Sequence, residues 1–357
     1  MIRIGLVGCG RISDRHIKAI ADNADKCRLV GACDIEENKA TQAVLSYAKL
    51  GCGTVPTFTS LEMMLEALPI DMLAIATESG YHYAHARAGL EAGKHVLIEK
   101  PMTLSVKEAR ELIALANEKG LKLGVCHQNR FNPPIQALRQ AVEQNGFGRL
   151  INGTARILWN RNMGYYQQAP WRGTWAQDGG TLMNQCIHNI DLLQWMMGGE
   201  PETVYCQAGT FLREIEGEDF GAITIRFKNG AIGIVEGSAC VYPKNLEETL
   251  SIFGEKGTAV IGGLAVNKLE HWLFEDADVL ALGEVQGIDV DSVYGEGHTP
   301  LYNDFINAIR ENRSPLIDGN EGLKALSIIL AAYKSRKTEL PVKLDEQFSF
   351  STLEMLG

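Results

Sequence analysis

A glycine-rich turn directly after an apolar strand constrains this chain more than any other feature. Residues Ile2–Gly8 (IRIGLVG) read as a buried strand and Arg15–Asn23 as a helix, joined by Gly8-Cys9-Gly10-Arg11-Ile12-Ser13. Gly8 permits a tight turn. Gly10 has no Cβ, so a phosphate can approach the backbone, and the helix behind it offers unpaired N–H groups and the positive end of its dipole. Ser13 stands where the usual fingerprint has a third glycine, a change that a small side chain tolerates at a helix–strand contact. Asp34 closes the next strand, Arg28–Asp34, at the spacing where a carboxylate accepts both ribose hydroxyls and repels a 2′-phosphate. These residues predict a dinucleotide site that favours NAD over NADP.

The turn opens a longer alternation. Strands are expected at Asp71–Thr77, His95–Glu99 and Lys122–His127, with helices at Glu37–Leu50, Leu61–Leu68, Tyr81–Ala92 and Ser105–Lys119. Continuously apolar strands, each followed by a helix, mean a parallel sheet covered on both faces. The pattern changes after about residue 124. Ile135–Asn145 and Thr181–Met197 read as helices. Short alternating strands follow at Glu202–Phe211, Ala222–Phe227, Ala231–Ser238, Glu248–Phe253 and Thr258–Ile261. Asn229-Gly230 between two of them is the pair that a type I′ hairpin turn prefers. The expected fold is α/β: an N-terminal Rossmann doubly wound parallel sheet over 1–123, then an α+β domain over 124–357 with a large, open-faced, mostly antiparallel sheet. The second part is expected to bind substrate and to carry oligomer contacts. Residues 276–297 are expected as a long surface loop, with terminal helices at Tyr302–Arg310 and Glu321–Ser335.

Composition removes several classes of function. The net charge is -10, from 34 basic and 44 acidic residues, and no Lys/Arg run stands out. A nucleic-acid groove or an anionic membrane surface is therefore not expected as a partner. No segment approaches the ~20 apolar residues of a membrane span, and Met1–Gly10, which reads as a strand and glycine turn without a basic n-region, is not expected to act as a leader. The eight cysteines form no CxxC pair, as expected of reduced, mostly buried thiols in a cytoplasmic protein. His16, His95, His127 and His271 show no ligand spacing with nearby acids, so no metal is expected. No GxSxG is present, and no cysteine has a recognisable base.

Candidate chemistry gathers in two places. Glu99-Lys100-Pro101 closes a strand of the parallel sheet, and ligands of such sheets lie beyond the carboxyl ends of the strands. A lysine near a pyridinium can hold or shuttle the proton of an alcohol. His82, opening a helix after the strand Asp71–Thr77, can also approach the cofactor. The second place is Asp178-Gly179-Gly180-Thr181-Leu182-Met183-Asn184-Gln185-Cys186-Ile187-His188. On one helix, Asn184 and His188 at i, i+4 share a face. Arg161 and Arg172 offer bidentate donors for an anion; Asn160, Asn162 and Gln185 add neutral ones. Tyr165, Tyr166, Trp171 and Trp175 offer faces for a sugar or a base. His298, after the long loop, is a further candidate for the substrate side.

The stretches GLVGCGRIS, EKPM at 99–102 and GGTLMNQCIHNIDLLQWM at 179–196 resemble the glucose–fructose oxidoreductase/inositol dehydrogenase family over nearly the whole chain. The resemblance implies NAD(P)-dependent oxidation or reduction of sugar-like alcohols, with Lys100 and His188 as the catalytic pair. Many relatives carry Asp where this chain has Asn184, so one carboxylate of the usual triad is missing. A narrower resemblance lies in QNRFNP at 128–133 and in the segment from Trp159 to Trp175. It is to bacterial members that oxidise C3 of a UDP-linked N-acetylated sugar acid on the way to a diacetylated mannuronic acid of surface polysaccharide. It implies a homotetramer that holds NAD tightly, with 2-oxoglutarate as a possible recycling oxidant. On this reading the cofactor is lined by Gly8, Gly10, Arg11, Ile12, Asp34, Thr77, His82, Glu99, Lys100 and Gln128, with Trp171 and Arg172. The substrate meets Lys100, Arg161, Asn162, Tyr165, Tyr166, Asn184, Gln185, His188 and His298. The alternatives are a dehydrogenase of a free polyol such as inositol, and a non-catalytic NAD-dependent sensor.

Overall fold

The computed structural model describes residues 1–263, 265–284 and 295–356, and its chain divides into two compact units. The first unit comprises 1–103, 107–128 and 298–323; the second comprises 104–106, 129–297 and 324–357. Among the described residues no helix is long and apolar enough to cross a membrane.

The first unit contains β1 (Ile2–Val7), α1 (Ser13–Asp22), β2 (Cys27–Cys33), α2 (Glu37–Lys49), β3 (Thr57–Phe58), α3 (Leu61–Ala67), β4 (Met72–Ile75), α4 (His82–Glu91), β5 (His95–Ile98), α5 (Val106–Glu118) and β6 (Leu123–Val125). The six strands form one parallel sheet in the order β3-β2-β1-β4-β5-β6. Ile4, Leu6, Met72, Leu73, Ala74 and Ile75 have no exposed surface, because helices cover both faces. Strand order reverses between β1 and β4, and the crevice at such a reversal is where these sheets take ligands. The stretch 298–323 returns to this unit with α11 (His298–Glu311), whose Phe305 ring lies where a Cβ on Gly124 of β6 would stand.

The second unit holds α6 (Pro133–Glu143), β7 (Leu150–Leu158), α7 (Met163–Tyr166), α8 (Thr181–Asn184), α9 (Ile187–Met196), β8 (Pro201–Gly209), β9 (Phe220–Phe227), β10 (Ile232–Ser238), β11 (Glu247–Gly254), β12 (Gly257–Gly262), β13 (Lys268–Phe274), α10 (Ala277–Ala281) and β14 (Val342–Lys343). The long α12 (Gly319–Thr338) begins in the first unit and ends in this one. The sheet order is β13-β12-β11-β7-β10-β9-β8-β14. Only β7 and β10 run parallel; the other pairs are antiparallel. On β9 the buried Ile223, Ile225 and Phe227 alternate with exposed Ala222, Thr224 and Arg226, so one face packs and the other stays open. The covering elements sit on glycines: Leu182 and Cys186 occupy the space above Gly237, and Leu193 and Met197 the space above Gly153.

Three local expectations are corrected. Thr181–Met197 is two helices, broken at Gln185 and Cys186, because Cys186 drops onto Gly237 and the Gln185 side chain is held by Arg161 and Tyr165. The hairpin at Asn229-Gly230 is not type I′: only Gly230 has positive φ (88°), and Gly230 N–H bonds to Phe227 O. That is a type I turn over Lys228-Asn229 followed by a left-handed glycine, preferred here because the Asn229 amide is tied to Met197 O and Ala231 N. Within 276–297, Ala277–Ala281 is helical and capped by the Asp276 carboxylate, and Leu282–Glu284 is a 3-10 turn; residues 285–294 of that expected loop lie outside the described residues.

A buried ion pair fixes α9 to the segment before α6. Arg130 donates from Nε and Nη2 to the two oxygens of Asp191 at 2.7 and 2.6 Å, and neither side chain is exposed. The Arg130 guanidinium also lies 4.7 Å from the centroid of the Trp195 ring. Removing one member of such a pair leaves a buried charge uncompensated. Asp191→Ala is expected to destabilise the protein by about 3–5 kcal/mol, read from urea unfolding.

Candidate functional site

The dinucleotide cradle is built by backbone shape. Gly8 has φ +89°, and a Cβ there would meet the backbone of Ala76 and Thr77 at 2.5 Å. A Cβ on Gly10 would meet nothing within 4 Å, so the space above it is open. Ser13 is buried and its hydroxyl donates to Gly10 O at 2.6 Å, closing the turn where a third glycine would otherwise sit. Asp34 accepts from Cys9 N–H on Oδ2 at 2.8 Å and from Glu36 N–H on Oδ1 at 2.9 Å. Each carboxylate oxygen keeps lone-pair capacity for a ribose hydroxyl. An open cradle at a helix N-terminus beside an oriented carboxylate fits NAD.

The nearby expected residues are ordered by their own bonds. His82 is buried, with Nδ1 2.7 Å from Pro101 O and Nε2 3.0 Å from Thr77 O. Burial lowers its pKa, and its two ring nitrogens face carbonyl oxygens of the loops after β4 and β5, so the neutral ring donates to one of them. Thr77 Oγ1 lies 3.2 Å from His85 Nδ1. Lys100 precedes the cis peptide to Pro101, and its N–H donates to Glu99 Oε2 at 3.2 Å. Glu99 is buried against His16 and His298, each ring Nε2 standing 3.2 Å from Glu99 Oε1. This brings His298 to Glu99. Sequence spacing gave no sign of the grouping of His16, Glu99 and His298, whose donor atoms lie within 4.8 Å of one another.

In the second unit a wall of donors and rings forms around Tyr165. Arg172 donates to Tyr165 Oη at 2.5 Å, and its guanidinium lies 4.4 Å from the Tyr165 ring and 4.6 Å from the Trp171 ring. The Arg172 Nε is buried without a hydrogen-bond partner. Arg161 donates to Gln185 Oε1 at 3.0 Å, to Asn160 O and to Asn245 Oδ1, and stacks 4.5 Å from the Trp159 ring. Gln185 donates to Tyr165 Oη and to Asn184 Oδ1. Asn184 in turn donates to the buried carboxylate of Asp178. Asp178 thus places a carboxylate on Asn184, a pairing that sequence spacing does not reveal. Asn162 caps α7 by accepting from Tyr165 N–H, and Tyr166 is packed edge-on against Tyr165. Trp175 is buried against Tyr333.

Two buried acids support this wall from below. Glu218 accepts from Leu182 N–H at 2.7 Å and from Tyr333 Oη, and packs where a Cβ on Gly180 would be. Burial raises its pKa to about 7. Glu248 on β11 is raised by burial to about 8, beside Asn189 and within the field of Arg161.

Comparison with known proteins follows the same division. Residues 2–127 match the oxidoreductase family described as NAD-binding Rossmann fold, and residues 135–260 match the GFO/IDH/MocA C-terminal domain. The WlbA dehydrogenase from Bordetella pertussis, solved with NADH and UDP-GlcNAcA, is 38% identical, with TM-score 0.86 over 96% of this chain and 98% of that one. The WlbA enzyme from Chromobacterium violaceum, with the same two ligands, is 35% identical, with TM-score 0.87 over 97% of each chain. A UDP-N-acetylglucosamine 3-dehydrogenase from Acidithiobacillus ferrooxidans is 28% identical over 92% of this chain and 95% of its own length.

Two outcomes test these assignments. Asp34→Ser is expected to weaken NAD binding by about 10- to 100-fold, the worth of hydrogen bonds to a charged group, and to narrow its preference over NADP; fluorescence titration of both cofactors reads this. Glu248 has a folded-state pKa of about 8, above its ordinary value. Its stabilising protonated form is therefore complete in mild acid and is lost as pH rises through that value. Glu248→Gln is expected to raise the melting temperature more at pH 9 than at pH 5, followed by thermal unfolding across the range.

Proposed function

This chain belongs to the GFO/IDH/MocA family of NAD-dependent oxidoreductases, and on that premise we propose that it oxidises the C3 hydroxyl of UDP-N-acetyl-2-amino-2-deoxyglucuronate (UDP-GlcNAcA) to the 3-keto sugar in bacterial surface polysaccharide synthesis. The observation that carries the reading is the cationic, aromatic wall. In a chain of net charge -10, it gathers Arg161 and Arg172 onto tyrosine and tryptophan faces. The buried Nε of Arg172 retains an N–H for an acidic ligand. A sugar carboxylate and a diphosphate both call for donors of this kind. The likeness to two enzymes solved with UDP-GlcNAcA supports the same substrate.

Gly8, Gly10, Arg11 and Ile12 would hold NAD, which when bound would supply the hydride acceptor. His188 accepts the proton of the 3-hydroxyl as general base, and Lys100 donates a hydrogen bond to its oxygen as negative charge develops. Asn184 is a positioning partner whose carboxamide is oriented by Asp178, so the local negative charge lies one side chain back. Assembly into a homotetramer is part of the proposal, and the partly exposed Ile232 and Ile234 of β10 on the open face of the sheet are in keeping with it.

The test is a thermal shift with NADH present, using UDP-GlcNAcA, UDP-N-acetylglucosamine, UDP and myo-inositol at equal concentration, together with NADH formation from each candidate alcohol and NAD. UDP-GlcNAcA is expected to give the largest shift and the fastest turnover. Lys100→Met is expected to remove most turnover while NAD still binds. Preference for the neutral sugar nucleotide or for inositol overturns the substrate assignment. The absence of NADH with every alcohol overturns catalysis in favour of a sensor.

A further inference from the structure

The buried cluster at the end of β5 sets one carboxylate against two imidazoles. Burial alone would raise the pKa of Glu99, but hydrogen bonds from His16 and His298 outweigh it and hold the carboxylate well below the usual range. An ionised carboxylate only accepts, so each imidazole presents Nε2–H to Oε1. The Tyr302 hydroxyl stands 2.6 Å from His16 Nδ1. Burial lowers the pKa of His298, which keeps that ring neutral. A metal ion would need the same Nε2 lone pairs that this tautomer assignment turns into donors. The Cys126 thiol, kept protonated by burial and then by the nearby carboxylate, and His82 also face Glu99.

The cluster joins segments far apart in sequence. His16 is on α1, the helix that follows the glycine turn; Glu99 directly follows β5; His298 and Tyr302 lie on α11. The other carboxylate oxygen, Oε2, accepts the N–H of Lys100. We propose that His16, Glu99 and His298 are positioning residues for Lys100: two imidazoles hold the carboxylate, and the carboxylate holds the backbone from which the lysine projects. His298 then acts on the reaction through Glu99, not by touching the sugar. The proposal rests on Lys100 being catalytic.

The test compares His298→Leu, which removes the donor at similar size, with His298→Gln, which restores an Nε2–H. The expected result for His298→Leu is a fall in kcat of about 10- to 100-fold, the scale of a misplaced catalytic group, with NAD affinity little changed and a lowered melting temperature, since a buried carboxylate loses a donor. His298→Gln should recover most of the loss. Near-normal kcat in His298→Leu beside an inactive Lys100→Met overturns the positioning role and leaves the catalytic reading intact. Normal turnover in Lys100→Met overturns both. A readout that needs no substrate is the 13C resonance of reductively methylated Lys100, identified by its loss in Lys100→Met. It is expected to move in His298→Leu and return in His298→Gln, and an unmoved resonance overturns the proposal. So does one equivalent of bound zinc that departs in His298→Leu.

Discussion

Only a residue without a side chain fits at position 8. The close approach of Gly8 to the backbone of Ala76 and Thr77 lets the turn after β1 lie against the end of β4. With a Cβ there, the two strand ends would have to separate, and the helix behind the turn would no longer aim its N-terminus across the crevice. Cys9 N–H, which the turn delivers to Asp34, depends on the same geometry. A single steric requirement thus sets the glycine turn and orients the Asp34 carboxylate beside it.

The two units solve the problem of buried polarity differently. The first gathers a single carboxylate under two imidazoles and balances it by hydrogen bonding. The second buries a full ion pair, Arg130 with Asp191, and leaves Glu218 and Glu248 in surroundings that favour their protonated forms. These acids lie beneath the helices and strand that carry the amide and arginine wall. The wall itself is neutral at its centre: Asn184, Gln185 and Tyr165 exchange hydrogen bonds, with Asp178 behind them and the arginines at the side.

Much of this was legible in the residues. Continuous apolar runs such as Met72–Ile75 announce a doubly covered parallel strand, and IRIGLVG followed by Gly-x-Gly announces the cradle. The second unit was harder. β7, LINGTARIL, holds a central place in the sheet, yet its Asn, Gly and Thr hide it from a reading by apolar alternation; Gly153 is there because Leu193 and Met197 need the space. The break at Gln185 was invisible because it answers to a glycine on another strand, Gly237. Arg161, Arg172 and the tyrosines could be picked out by type. Their pairing could not, nor could the meeting of residues 16, 99 and 298, since tertiary contact alone creates it.

The return of 298–323 to the dinucleotide unit has a consequence for how the protein is made. A ribosome delivers the sheet β1 to β6 early, and domains generally fold as units from the N-terminal end. Here the nascent sheet lacks the ring that meets Glu99 from α11, and it lacks the cover over Gly124. Until the chain has been synthesised through residue 323, the emerging nucleotide fold carries an exposed seam, and its completion must wait for nearly all of the other unit to leave the exit tunnel.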